Sequence, residues 1–248
     1  MPRRIHTYIQ RQIRKRGKLL FALLDAENIT NPRDTITTVE RCDVDAFLVG
    51  GSTVYDQLQL DAFVKVAKQT TSKPVILFPG NITGISRHAD AIFFSSLLNS
   101  EDPYYIVGAQ AIGALSIQRY KLEALPMGYL VIGQGATAGF IGRARPFPTD
   151  KPELVAMYAL AAQYLGMKYL YLEAGSGATE TIPPQVVQAV KRRYSGTVIV
   201  GGGITLPKTA HDLAVAGADI IVIGNLLERP DFVPTLKHIS ASLRIRES

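Results

Sequence analysis

The amino-acid sequence predicts one α/β domain built as a (β/α)8 TIM barrel with its third helix replaced by a loop. Two observations carry this. From Leu19 onward, short apolar segments alternate with helical stretches as far as the C-terminus, the pattern of parallel strands joined by crossover helices. The chain has 248 residues, 47% hydrophobic and 19% charged, enough to bury a full core at a length such barrels commonly occupy.

Residues 1–17 come first, as a basic arm. Ile5, Tyr8, Ile9 and Ile13 recur at helical spacing between arginines and lysines, so the arm is expected to be an amphipathic helix packed under the barrel. The alternative is that its basic face makes a peripheral contact with an anionic membrane. Strands are expected at 19–25, 46–49, 74–78, 90–94, 128–133, 169–173, 197–200 and 219–223. Helices are expected at 35–41, 55–69, 104–119, 151–165, 184–194, 207–216 and 232–245, the last after a short turn at 226–228. Only residues 79–89 separate the third and fourth strands, and Pro79, Gly80, Asn81 and Gly84 lie among them. A crossover helix hardly fits there. An irregular loop in that unit leaves a side of the barrel open, where a long apolar substrate can enter.

Charge and cysteine content narrow the function. Seven basic and no acidic residues precede Asp25, so a net charge of +6 for the whole chain leaves the rest at −1. The basic character belongs to the arm, and no nucleic-acid partner is expected. Cys42 is the only cysteine, and no apolar run approaches the roughly 20 residues needed to cross a bilayer. A cytoplasmic location is expected.

Candidate site residues collect at strand ends, where barrel enzymes keep their chemistry. The first strand ends in LLDAEN and the second in VGGST, placing Asp25 and Ser52 at one rim. A carboxylate and a hydroxyl are hard oxygen ligands suited to Mg2+ completed by water and substrate phosphates; the plainer roles are a loop cap for Asp25 and a helix cap for Ser52. Gly201–Ile204 follows the seventh strand, and Gly224 and Asn225 follow the eighth before a short turn. Loops in those two places form the recurring phosphate site of such barrels. The sixth strand runs into YLEAGSGA, with Glu173 at the junction and Gly175, Ser176 and Gly177 after it. Glu173 is expected to be a general base beside a phosphate cradle, reaching the hydroxyl of a small phosphorylated alcohol.

Other features carry less. GQGATAG at 133–139 lacks the GxGxxG spacing and is expected to be a mobile active-site loop. His6, His88, His211 and His238 are scattered, so neither a histidine metal site nor a Ser/His/Asp triad is indicated. Phe78, Phe93, Phe94, Tyr104, Tyr105 and Tyr129 fall near strand ends or the open side, to line a greasy channel or to pack the core.

YLEAGSGA followed by GGGI and IGN resembles the geranylgeranylglyceryl phosphate synthases, with the heptaprenylglyceryl phosphate synthases as close kin. LLDAEN, GGS, YALAAQYLGM and the shortened third unit extend the likeness over nearly the whole chain. The resemblance implies an Mg2+-dependent prenyltransferase of ether phospholipid biosynthesis. It joins geranylgeranyl diphosphate to sn-glycerol 1-phosphate and releases diphosphate; a longer, heptaprenyl donor is the alternative. It also implies that Asp25 and Ser52 hold the metal, that Glu173 takes the proton, and that the glycerol phosphate lies on Tyr171, Leu172, Glu173, Ala174, Gly175, Ser176, Gly177, Gly202, Gly203, Gly224 and Asn225. Family members assemble as dimers or hexamers, so a homo-oligomer is expected. Where many members read aspartate, proline, aspartate, this chain reads Asp25, Ala26, Glu27, Asn28. The DDxxD motif of helical prenyl synthases is absent. A flavin- or sugar-phosphate-using barrel shares the glycines after the last two strands and is the other enzyme class the residues allow.

Overall fold

The structure, a computed structural model, describes residues 4–51 and 56–244. A first helix, α1 (Arg4–Arg16), leads into β1 (Leu19–Leu24), α2 (Pro32–Glu40), β2 (Ala46–Val49), α3 (Gln57–Thr70) and β3 (Val75–Leu77). Then come β4 (Ala91–Leu97), α4 (Ala109–Tyr120), β5 (Glu123–Val131), α5 (Ala136–Ile141), α6 (Pro152–Tyr164) and β6 (Tyr169–Glu173). The chain ends with α7 (Pro184–Lys191), β7 (Thr197–Gly201), α8 (Pro207–Val215), β8 (Ile220–Ile223) and α9 (Phe232–Ser242). Among the described residues, eight strands pair in parallel in sequence order, and β1 pairs with β8 to close the barrel.

Between β3 and β4 there is one 3-10 turn, Ile82–Gly84, so the expected loss of the third helix is seen. Elsewhere the boundaries moved for physical reasons. β5 begins earlier than its apolar run because Leu125 and Met127 alternate into the barrel across Pro126. Residues 104–108 form one π turn before α4. The segment at 133–139, expected as a mobile loop, carries α5; Gly133 and Gly135, at φ +74 and +70, turn the chain into it as only glycine does readily.

Period-two alternation sorts the strand residues into two layers. Phe21, Leu48, Ile76, Phe93, Met127, Tyr169, Tyr171 and Ile199 fill the barrel interior. Leu20, Phe47, Leu77, Ile92, Leu170, Leu172 and Val200 face the helices. Each fully buried large side chain contributes on the order of 1.5–3 kcal/mol. Ile9 of α1 is fully buried and belongs to the interior layer, with Ile5, Tyr8 and Ile13 packed against it. The arm therefore closes the N-terminal floor, at the opposite end from the strand termini that carry the candidate site.

Candidate active site

Glu173 ends β6 and is buried in the barrel mouth. Its Oε2 accepts the Tyr129 hydroxyl at 2.7 Å, and its Oε1 accepts the Gly175 N–H at 2.6 Å. Burial pushes its carboxyl above the ordinary 4.5, against the Tyr129 and Gly175 hydrogen bonds, which favour the ionised form. The result is a positioned carboxylate of increased basicity. Tyr129 stacks on Tyr171 with ring centres 5.1 Å apart and planes at 13°, and Phe78 lies 4.9 Å from Tyr171.

The glycines are explained by what a side chain would strike. At Gly202, φ is +88 and a Cβ would stand 2.6 Å from Glu173 Oε1 and 2.9 Å from the Gly175 backbone. At Gly51 a Cβ would come within 2.8 Å of Asp25 Oδ2. Gly177, at φ +76, faces open space. Gly224 differs, since a Cβ there would meet only Leu23, at ordinary contact distance. The three loops are tied together. Asn225 Oδ1 accepts the Gly177 N–H at 3.1 Å, with the Ser176 hydroxyl at 3.5 Å, and the Thr181 hydroxyl donates to the Gly202 carbonyl at 3.0 Å.

A cavity of about 390 Å³ opens at this mouth, and Asp25, Glu173, Ser176, Gly224 and Asn225 are in its wall. Gly175, Gly177, Gly202 and Gly203 belong to the loops beside it. Tyr171 lies in the barrel interior, while Leu172 and Ala174 are buried toward the helices, so these two are presented to the mouth only through their backbone. Asp25 follows β1 directly, its Oδ1 accepting the Glu27 N–H at 2.9 Å and its Oδ2 lying 3.3 Å from Asn28 Nδ2. Ser52 lies outside the described residues.

From the mouth the cavity continues into an apolar limb lined by Ile82, Ile85, Ile92, Phe94, Gly113 and Ile117. Ile92 and Phe94 alternate with the inward Phe93, so this limb lies outside the sheet, where the missing third helix would have packed. Tyr104 bridges its rim, donating its hydroxyl to Asn81 Oδ1 at 2.6 Å. The sequence pointed to Tyr129 as a channel wall, not as the partner of Glu173. Its signal was the register, in which Tyr129 faces Tyr171 and Val131 faces Glu173.

The profile of the PcrB family matches residues 11–242. The chain belongs to that family. Geranylgeranylglyceryl phosphate synthase from Nitrosopumilus maritimus is 46% identical over 243 residues, covering 97% of each chain. The enzyme of the same name from Pyrococcus abyssi is 46% identical over 244 residues, 97% of this chain and 96% of that one. The crystal structure of (S)-3-O-geranylgeranylglyceryl phosphate synthase from Thermoplasma acidophilum in complex with sn-glycerol-1-phosphate superposes with a TM-score of 0.90 at 40% identity. That superposition covers 95% of this chain and 98% of the other. As a PcrB-family chain, this protein presents its carboxylate, its glycine loops and a two-ended cavity within one barrel mouth.

Proposed function

We propose that this protein transfers the prenyl group of geranylgeranyl diphosphate to the free hydroxyl of sn-glycerol 1-phosphate, forming an ether and releasing diphosphate. The observation that carries this is Glu173, held by Tyr129 and Gly175 in a cavity polar at one end and apolar at the other. The loops around Gly175–Gly177, Gly202–Gly203 and Gly224–Asn225 hold the glycerol phosphate, and the apolar limb takes the prenyl chain. The allylic C–O bond breaks with its electron pair leaving on the diphosphate. The glycerol oxygen bonds to the prenyl carbon, and its proton passes to Glu173.

The cavity suits a divalent cation. Its charged lining residues are Asp25, Glu173 and Glu228, and no Lys or Arg lines it among the described residues, so among these no basic side chain balances two anionic ligands. Asp25, kept clear by Gly51, and Ser52 would hold Mg2+; when bound it neutralises charge developing on the departing diphosphate, more in the transition state than in the ground state. No group of three His, Cys, Asp or Glu side chains converges among the described residues, so water and phosphate oxygens would complete the shell. Purified protein should release diphosphate only with both substrates and Mg2+; turnover undiminished by chelator would remove the metal from this scheme.

A longer, heptaprenyl donor is the second reading of the same limb. Gly113 presents no side chain to it, and Ile85 Cδ1 occupies the space into which a Cβ there would point. Parallel assays with geranylgeranyl and heptaprenyl diphosphate decide between them.

Partners and location belong to the same proposal. Phe140, Met157, Tyr164 and Leu165 are exposed around α5 and α6, a face suited to a second copy of the chain, and light scattering gives the assembly. Arg4, Arg11, Arg14 and Lys15 face outward from α1, and anionic vesicles test them for membrane contact. Salt-dependent binding that survives deletion of residues 1–16 would rule the arm out. The single free cysteine accords with a cytoplasmic location, which cell fractionation tests. Among the described residues no helix is long and apolar enough to cross a membrane.

A further inference from the structure

The barrel floor, far from the cavity, repeats one arrangement three times. Asp45, Asp90 and Asp219 each stand one residue before an even-numbered strand, in DAFLV, DAIFF and DIIVI. Their backbone N–H groups donate to the carbonyls of Leu20, Val75 and Val198 on the neighbouring strands, at 2.7, 2.9 and 2.9 Å. Each carboxylate then accepts the N–H of that same residue, at 2.8 Å in all three cases. Each also pairs with a basic side chain: Asp45 with Arg16 and Arg244, Asp90 with Lys68, Asp219 with Lys191. A donor at the start of a parallel strand has no ladder partner beyond it, and the aspartate supplies one while fixing the register.

The remaining pair, β5 with β6, departs from this at a single register position. Met127 faces Tyr169, so Pro126 stands opposite Lys168, and the Lys168 N–H donates to the Pro126 carbonyl at 3.0 Å. That half of the arrangement persists. Pro126 has no N–H, so a carboxylate at position 168 would have nothing to accept.

This is where α1 lands. Glu123, which opens β5, accepts the N–H groups of Ile5 and His6 at 2.7 and 3.0 Å. His6 Nδ1 lies 2.8 Å from the Tyr169 hydroxyl at the start of β6, and Gln10 Nε2 donates to Thr197 Oγ1 at the start of β7, at 2.9 Å. The far end of α1 joins the first aspartate, with the Tyr8 hydroxyl on the Asp45 carbonyl and Arg16 on its carboxylate. Thirteen helical residues span about 20 Å, enough to reach between the two sides of the floor.

We infer that the barrel is closed in four strand pairs, three locked by a floor aspartate and the fourth locked by α1 through Glu123. The arm is a structural fastening at the one pair whose proline forbids the carboxylate lock, independent of the chemistry at the mouth. The test is a thermal-melting cycle on the full chain, with trypsin cleavage within residues 4–16 as the second readout. Glu123→Ala should lower Tm by several degrees and speed arm cleavage roughly tenfold or more. Pro126→Ala combined with Lys168→Asn restores a donor and a neutral acceptor at the broken position; there Glu123→Ala should lower Tm by no more than about half as much while the arm is still cleaved fast. Equal Tm losses in both backgrounds, or unchanged cleavage, would overturn the inference. Should the double substitution not fold, Glu123→Ala is compared with Asp90→Ala in the natural background. Comparable losses support a fourth lock, and a loss under about a quarter of the aspartate's refutes it.

Discussion

Tyr129 donates its hydroxyl to Glu173 Oε2 at 2.7 Å while its ring stacks on Tyr171. One side chain therefore both orients the carboxylate and restrains its basicity, because a hydrogen bond to the ionised form opposes the upward push of burial. Tyr129→Phe keeps the stack and removes the bond. The Glu173 pKa should then rise further, and the acid limb of the pH profile of kcat/KM should shift upward in pH, with kcat down on the order of tenfold. An unshifted acid limb would mean that the bond does not tune the base.

Glu173→Gln separates chemistry from stability. The amide can accept the Gly175 N–H and donate to the Tyr129 oxygen, so folding should survive, while activity falls by about 10²–10⁴-fold. The stability sign follows from the raised pKa. A carboxyl whose folded pKa lies above its unfolded value favours the fold below the unfolded value, and that favour is lost as pH rises through the folded one. At neutral pH the variant should melt at or above the wild-type temperature, and the advantage should vanish below about pH 4.5. Melting curves at pH 4 and pH 7.5 check this, and full turnover in the variant would refute the base assignment.

Gly202 and Gly177 share a left-handed backbone, at φ +88 and +76, but only Gly202 abuts the carboxylate. Alanine at either site costs roughly 1–2 kcal/mol of backbone strain. At Gly202 its methyl must also displace Glu173 Oε1. Gly202→Ala should lower kcat by at least about tenfold beyond the loss in Gly177→Ala and, because its methyl also meets the Gly175 backbone at 2.9 Å, should melt below it. Equal kcat losses would show that strain alone accounts for both.

Much of this was legible in the sequence because it rests on strand periodicity and glycine. Asp25, Glu173 and the paired glycine loops lie at strand ends, and period two with β/α alternation fixes where those ends are. Proline and glycine between 79 and 84 likewise forecast the missing helix. Tyr129 as partner of Glu173 was not legible, because that contact depends on the β5–β6 register, and Pro126 disguised where β5 begins. The helix in GQGATAG was hidden by glycines that read as a loop but turn the chain into α5. The floor aspartates sit in ordinary pre-strand positions, and only the register shows that three face an N–H and the fourth site faces a proline.

The apolar limb offers the last test. Ala109, Gly113 and Ile117 are spaced four residues apart on the face of α4 that lines it, over about 12 Å of helix. A Cβ at Gly113 would stand 2.9 Å from Ile85 Cδ1, its neighbour in the limb's wall, so Gly113→Leu must push a side chain into the limb and should fill it there. Excluding one five-carbon isoprene unit forfeits on the order of 3–4 kcal/mol, at about 0.8 kcal/mol per buried CH2. That is a hundredfold or more in kcat/KM. Geranylgeranyl diphosphate should lose at least about that factor in the variant while geranyl diphosphate is nearly unaffected. The glycerol phosphate KM should stay constant, since its loops lie at the other end of the cavity. A uniform loss across donors would place the prenyl chain elsewhere.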